Sequence, residues 1–484
     1  MAGAAVDKLR IVMYPWLAFG HINPFFKLAK LIAQKGHFIT FVSTPKNIDR
    51  LPNLPPNLAS HIEFVKLPLP KVENLPENAE STADVPLNLI QYLKKANDSL
   101  REHLVRFLES SKPDAIIFDF CSYWVGPIAS EMGIKSSFFC TFNAAAMAFM
   151  GSPSEIMGVD NPVRNKPEDL TVPPPWIPFP TAVAYHRHDV NGVMQIQLEN
   201  DSGVSDGYRT GMSIRNCDVV TIRSSYEFEA EWLQVLETIY GKPVFPVGEL
   251  PTYDDGDEND DAWLRVKCWL DNQSKNTVVY VAFGTEARMN QQQVTEIALG
   301  LERSEVPFFW VLGNRGGFQL PDGFEERTRG GRGVVWNGWA PQAKILAHES
   351  VGGFWTHGGL SSVVEGIQNG KPLVLLTFQL DQGLNARLLE EKKLGYSIPR
   401  DENDGSFTSD GVNAEARRIE TRDLEDNYFL KKRKRGNYEG NSIVHGSLAR
   451  GSNKLQTQRL SLLEAFASST KSATSVTKPH TSCA

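Results

Sequence analysis

The sequence predicts an α/β protein made of two Rossmann-like domains that face a cleft. Three observations lead there. The chain has 484 residues, more than a single hydrophobic core ordinarily serves. Short, unbroken apolar runs alternate with helix-length segments, the mark of a parallel sheet covered on both faces. The alternation then stops at an acidic stretch and begins again.

The first series of runs is Leu9–Tyr14, Phe38–Ser43, Ile62–Leu67, Ala115–Phe118, Ser137–Cys140 and Val219–Ile222, with helical segments at Pro24–Lys35, Pro86–Ser110 and Gly126–Met132. The second is Val278–Phe283, Phe308–Leu312, Val334–Trp336, Gly353–Thr356 and Pro372–Thr377. Between them, residues 254–261 read DDGDENDD, too polar to bury and suited to a solvated linker. These patterns place a first domain at 1–246, a linker at 247–262 and a second domain from 263 onward. The Pro-rich segment Pro153–Asp189 shows no period and reads as a long loop. Ligand is expected in the cleft beyond the C-terminal ends of the strands.

Bulk properties narrow the function. Hydrophobic residues make up 41% and charged residues 22%, as in ordinary globular enzymes. A net charge of -7 disfavours nucleic acid as a general partner. Cys121, Cys140, Cys217, Cys268 and Cys483 are scattered and form no CxxC pair, which suits a reducing compartment and offers no zinc site. The apolar run after Asp7, Lys8 and Arg10 is too short for a secretory signal, and no run approaches a spanning helix. The expectation is a cytoplasmic, monomeric enzyme with no membrane insertion.

Two residues could carry acid–base chemistry. His21 follows the first strand on a loop, with Asn23 placed to cap a helix and Pro24 to begin it. There the positive end of the helix dipole favours a neutral ring able to accept a proton. Asp119 closes the Ala115–Phe118 strand and faces the same cleft, where a carboxylate could orient that ring. The competing reading of His21 is a ring bonded only to local backbone.

The strongest local signal begins at Trp339, Ala340 and Gln342, continues through His357, Gly358, Gly359, Ser361, Ser362 and Glu365, and ends at Asp381 and Gln382. Glycines after a strand let backbone approach a ligand, and the helix they open offers N–H groups to an anion such as diphosphate. Ser362 and Glu365 also fit a capping box, and Trp339 could be either a stacking platform or core. Gly284 and Thr285 end the second domain's first strand and could touch phosphate too. The dinucleotide pattern GxGxxG is missing after both first strands, and so is a P-loop, which weighs against NAD and ATP enzymes, including an NAD-dependent nucleotide-sugar epimerase.

On these residues the chain resembles the plant UDP-dependent glycosyltransferases of small molecules. Trp339–Gln382 has the length and most of the fixed residues of that family's donor signature. The likeness runs from about residue 8 to 412 and takes in Pro15, His21, Asn23, Pro24, Asp119 and Val281–Gly284. It looks closest to the branch-forming group, which includes UDP-rhamnose rhamnosyltransferases and adds a sugar to an existing glycoside. The resemblance implies a GT-B fold and an inverting transfer of glucose or rhamnose from a UDP-sugar to a hydroxyl of a flavonoid or terpenoid glycoside. It implies no metal and no cofactor, the UDP-sugar being a co-substrate. His21 would be the base and Asp119 its partner. Trp339 would stack on uracil, with Ala340 and Gln342 at its edge. His357, Ser361, Ser362 and Thr285 would hold the diphosphate, Glu365 the ribose, and Asp381 and Gln382 the sugar. Gly358, Leu360 and Ser361 stand where the family commonly has Cys, Trp and Asn.

The likeness ends the second domain at 263–412 and stops from Asn413 onward, which leaves 413–484 as a divergent, partly disordered tail. Lys431–Arg435 is a basic run, residues 472–482 are Ser/Thr-rich, and only Leu455–Phe466 suggests an amphipathic helix. An altered reading frame would explain the break. The family's last helix crosses back onto the first domain, and its loss would leave a catalytically impaired, UDP-sugar-binding protein as the alternative.

Overall fold

The computed structural model describes residues 8–195, 198–250, 260–284, 287, 289–313, 317–328, 331–420 and 466. The first domain carries strands β1 (Arg10–Tyr14), β2 (Phe38–Ser43), β3 (Ile62–Lys66), β4 (Ala115–Phe118), β5 (Lys135–Cys140), β6 (Val219–Ile222) and β7 (Val244–Pro246). Their order in the sheet is β3-β2-β1-β4-β5-β6-β7. The second carries β8 (Val278–Ala282), β9 (Phe308–Val311), β10 (Gly333–Trp336), β11 (Val351–Thr356), β12 (Leu373–Leu375) and β13 (Gly395–Ser397), ordered β10-β9-β8-β11-β12-β13. Every strand pairing is parallel.

The apolar runs are continuous because both faces of each sheet are buried. Along β1, Val12 and Tyr14 enter one core while Ile11 and Met13 enter the other. Along β8, Val279 and Val281 face one side and Val278, Tyr280 and Ala282 the other. That two-residue period is the pleat itself. Each sheet reverses its winding beside its first strand, at β1/β4 and at β8/β11. A crevice opens at such a switch point, because the crossovers on its two sides run in opposite directions.

Some local expectations change. The first helix runs from Phe19 to Ala33 with Ala18 as its N-cap, so Asn23 caps nothing and Pro24 lies inside. Pro24 sits in the second turn, where its missing N–H forgoes a single bond to Gly20. His21 therefore stands in the helix's first turn rather than on a loop before it. Pro86–Ser110 is two helices, Ile90–Asp98 and Arg101–Ser111, after a short 3₁₀ turn. Within Pro153–Asp189 the segment Pro153–Met157 is helical, and Arg187 starts another helix. That segment is pinned by Trp176, whose Nε1 donates to the Ala148 carbonyl at 2.8 Å, and by the Arg164 guanidinium lying over the Trp176 ring. β7 and β13 have three residues each, too few to show a period.

Most of the acidic linker lies outside the described residues. Its end is structural: Asp260 accepts from the Ala262 and Trp263 amides and caps the helix Asp261–Asp271. At the other boundary the helix Ser409–Glu420 passes through residue 412, and Val412, Ala416 and Ile419 are buried. The tail beyond Glu420 is described at one residue, Phe466, which is buried in a first-domain core with Ile11, Val247 and Leu250. The basic run, the Ser/Thr-rich end and Cys483 lie outside the described residues. Cys121, Cys140 and Cys217 are buried thiols and Cys268 is exposed. Among the described residues no helix is long and apolar enough to cross a membrane.

Candidate active site

Both switch points carry polar side chains. At the first, β1 leads into the helix that holds His21, and β4 ends at Asp119. The Asp119 carboxylate is buried and accepts the amides of Trp16 (3.0 Å) and Phe120 (2.7 Å). The oxygen shared with Trp16 is 2.9 Å from His21 Nδ1. Acceptor-only carboxylate oxygens require Nδ1 to carry the proton, so the ring's basic lone pair is on Nε2. Thr141 Oγ1 lies 3.3 Å from the same Nδ1, and the rings of Phe120 and Phe142 flank the imidazole. His21 is thus tied to a distant carboxylate and not to local backbone alone.

At the second switch point, Gly284 follows β8 and His357 follows β11. A Cβ on Gly284 would come within 2.8 Å of His357 Cε1, and one on Gly359 within 2.4 Å of Nε2. Two glycines therefore clasp this imidazole. The residue is half-buried, and desolvation of the ring lowers its pKa to about 4, so it is neutral at pH 7. Gly359 is the N-cap of the helix Leu360–Gln368, with no side-chain cap. Ser362 and Glu365 thus lie inside the helix and form no capping box. Instead, Gln342 Nε2 donates to Glu365 Oε2 at 2.7 Å and reaches Ser362 Oγ at 3.4 Å. Thr285 lies outside the described residues.

Trp339 is 69% exposed, which removes the core reading. Its carbonyl accepts from Trp336 Nε1 at 3.0 Å, which holds the loop while the indole stays open. Ala340 is nearly buried beside it. Asp381 precedes the helix Gln382–Glu391, and burial raises its carboxyl to about 6 while the hydrogen bond from Asn385 and, less strongly, the nearby His21 oppose that rise. The Gln382 side-chain oxygen accepts from the amides of Phe378 and Gln379, leaving its NH₂ as the group that can meet a ligand.

Sequence reasoning missed the residues that join the halves. Asn385 Nδ2 donates to Asp381 Oδ2 (2.7 Å) and to the Gly358 carbonyl (2.9 Å), while its oxygen accepts from Asn143 Nδ2 (2.8 Å). Asn143 itself caps the helix Ala144–Met150, whose first amides are also held by the buried Glu229 carboxylate. Arg223, just after β6, donates from Nη1 to Ser361 Oγ at 2.8 Å. Asn and Arg next to a strand or helix end carry no local signal, because their partners are far away in sequence.

Two parallel sheets whose switch points meet across a cleft, with a His–Asp pair on one side and a glycine-opened helix on the other, form the GT-B architecture of nucleotide-sugar-dependent transferases. Known proteins agree. Residues 7–186 match the glycosyltransferase N-terminal domain, and residues 237–415 match the UDP-glucoronosyl and UDP-glucosyl transferase family. UDP-glycosyltransferase 91C1 of Arabidopsis thaliana is 51% identical over 84% of this chain and 88% of its own length. The soyasaponin III rhamnosyltransferase of Glycine max is 42% identical over 84% of this chain and 86% of its own. Arabidopsis thaliana UGT89C1, crystallised with UDP-L-rhamnose, superposes with a TM-score of 0.72 at 25% identity, covering 95% of this chain and all of its own. The chain belongs to the plant UDP-glycosyltransferase family. It is a glycosyltransferase that takes its sugar from a UDP-sugar.

Proposed function

We propose that the enzyme transfers a hexose, glucose or rhamnose, with inversion at the anomeric carbon to a hydroxyl on the sugar of a small glycoside. The observation that carries the mechanism is the 2.9 Å contact between His21 Nδ1 and Asp119, with Asp381 in electrostatic reach of the same ring. His21 Nε2 takes the proton of the acceptor hydroxyl as its oxygen attacks the anomeric carbon. The bond from that carbon to the β-phosphate oxygen breaks, and UDP leaves with the electron pair. Asp119 balances the imidazolium that forms, as a buried carboxylate does for a general-base histidine.

In this reading Trp339 stacks on uracil, and Ala340 and Gln342 meet its edge. Glu365, already held by Gln342, accepts from the ribose hydroxyls. His357, Thr285, Ser361, Ser362 and the amides opening Leu360–Gln368 hold the diphosphate, and no metal is required of them. Asp381 accepts from sugar hydroxyls and the Gln382 NH₂ donates to one. The rhamnosyltransferase among the relatives, and the rhamnose donor bound by a structural neighbour, support rhamnose beside glucose as a donor.

The test pairs calorimetry with UDP and transfer assays, in which UDP-glucose and UDP-rhamnose are offered with flavonoid and terpenoid glycosides. His21→Ala should leave UDP affinity within about twofold and lower kcat by at least ~10²-fold. Transfer surviving near the wild-type rate removes His21 as the base. UDP binding by the wild-type chain without turnover on any pair would favour the binding-only alternative.

A further inference from the structure

Arg223 is 2% exposed, and among the described residues its charge has little to answer it. Its Nε donates to the Glu249 carbonyl (2.7 Å) and Nη2 to the Leu250 carbonyl (3.4 Å), both in the segment leaving the first domain. Nη1 crosses the cleft to Ser361 Oγ. These three bonds use three of the five guanidinium N–H donors. Among the described residues no carboxylate forms an ion pair with it. Glu365, Glu249 and Asp381 act on it only at longer range, and burial draws its pKa down to about 10. A buried cation held by two carbonyls and one hydroxyl remains costly, and an anion in contact with it would offset that cost.

The position says which anion. Ser361 is in the first turn of Leu360–Gln368, where the amides and the helix dipole favour negative charge. An oxygen held there beside Ser361 Oγ lies within reach of the guanidinium. Lys27 approaches from the same side: its ammonium donates to the Leu250 carbonyl at 3.2 Å, and Arg223 and Glu365 both act on its charge. His357, on the other flank, is neutral and contributes no full charge.

We propose that Arg223, a residue of the first domain, contacts the diphosphate of the donor across the cleft and stabilises the charge that grows on departing UDP. This rests on the reading of the Leu360–Gln368 N-terminus as the diphosphate site. It makes the donor site bipartite, completed only when the two domains meet.

The experiment compares UDP with uridine, which shares the base and ribose and lacks phosphate, by calorimetry on full-length wild type and Arg223→Met. Wild type should bind UDP more tightly than uridine. Arg223→Met should lose about 10- to 100-fold in UDP affinity, the scale of one charge-assisted hydrogen bond, with uridine affinity unchanged. Equal UDP affinity in the two proteins overturns the proposal, as does parallel loss of UDP and uridine, which would mark a purely structural role. If the Met variant does not fold, Arg223→Lys decides. It keeps the charge but loses the fork, and should weaken UDP about 3- to 10-fold with uridine unaltered. No change in UDP affinity then sinks the idea. Wild-type protein that binds neither ligand overturns the donor-site reading itself, and this one with it.

Discussion

At the scale of single residues, the site is built from side chains whose charge state is set by burial. His357 shows the consequence for stability. Its folded pKa of about 4 lies below the ordinary histidine value near 6.5. Between those values the unfolded chain binds more protons than the folded one, so stability rises with pH across that window. The contribution is complete above about pH 6.5 and is lost as pH falls through 4. It amounts to at most about 3 kcal/mol. Asp381 works the other way: its carboxyl is raised to about 6, and its ionised form is relieved as pH falls. Comparing wild type with His357→Gln cancels that term. Unfolding free energies at pH 7.5 and 4.5 should drop more in wild type, by roughly 2 kcal/mol. Parallel pH curves for the two proteins would mean that His357 titrates normally.

At the scale of elements, what matters is where each strand ends and each helix begins. β4 delivers Asp119 and the helix Phe19–Ala33 delivers His21, because both flank the first switch point. β8 and β11 deliver Gly284 and His357 at the second for the same reason. The glycine clasp sets how closely these elements approach. In Gly359→Ala the new methyl would stand 2.4 Å from His357 Nε2, nearer than atoms allow, so the ring must swing away from the helix N-terminus. UDP affinity should fall by about tenfold or more, with uridine affected far less. Unaltered UDP binding would show that the imidazole does not need this position. The element scale is also where local sequence misleads. An Asn-Pro pair is a fair helix start on local grounds, but the helix begins at Phe19, with Ile22 ahead of the pair already buried on its inner face.

At the scale of the whole molecule, the two domains share side chains. Leu384 and Leu388 of the second domain enter a first-domain core. Glu391 accepts from Thr181 and Ala182, and His186 Nδ1 lies 2.8 Å from Glu402. Residue 466 returns from the far end of the chain, so the tail is not wholly detached from the first domain. Phe466→Ala should destabilise that domain by about 3 kcal/mol, as emptying a buried aromatic site does, and lower the Tm by several degrees. A Tm that does not move would show that the tail adds nothing to the first domain's core.

The sequence alone determined most strands of both sheets and the two-domain fold. Each of these rests on a pattern confined to neighbouring residues: unbroken β-rich runs between helices, and an acidic break. His21 and Asp119 were legible for a related reason, since Asp119 directly follows its strand and His21 lies in the first turn of the helix after its own. Only the tertiary structure decided how these pieces meet. The tautomer of His21, the neutrality of His357 and the cleft-crossing bonds of Asn143 and Arg223 depend on partners scores of residues away. Their energies come from desolvation and hydrogen-bond geometry, which exist only once the chain has folded and water has been excluded.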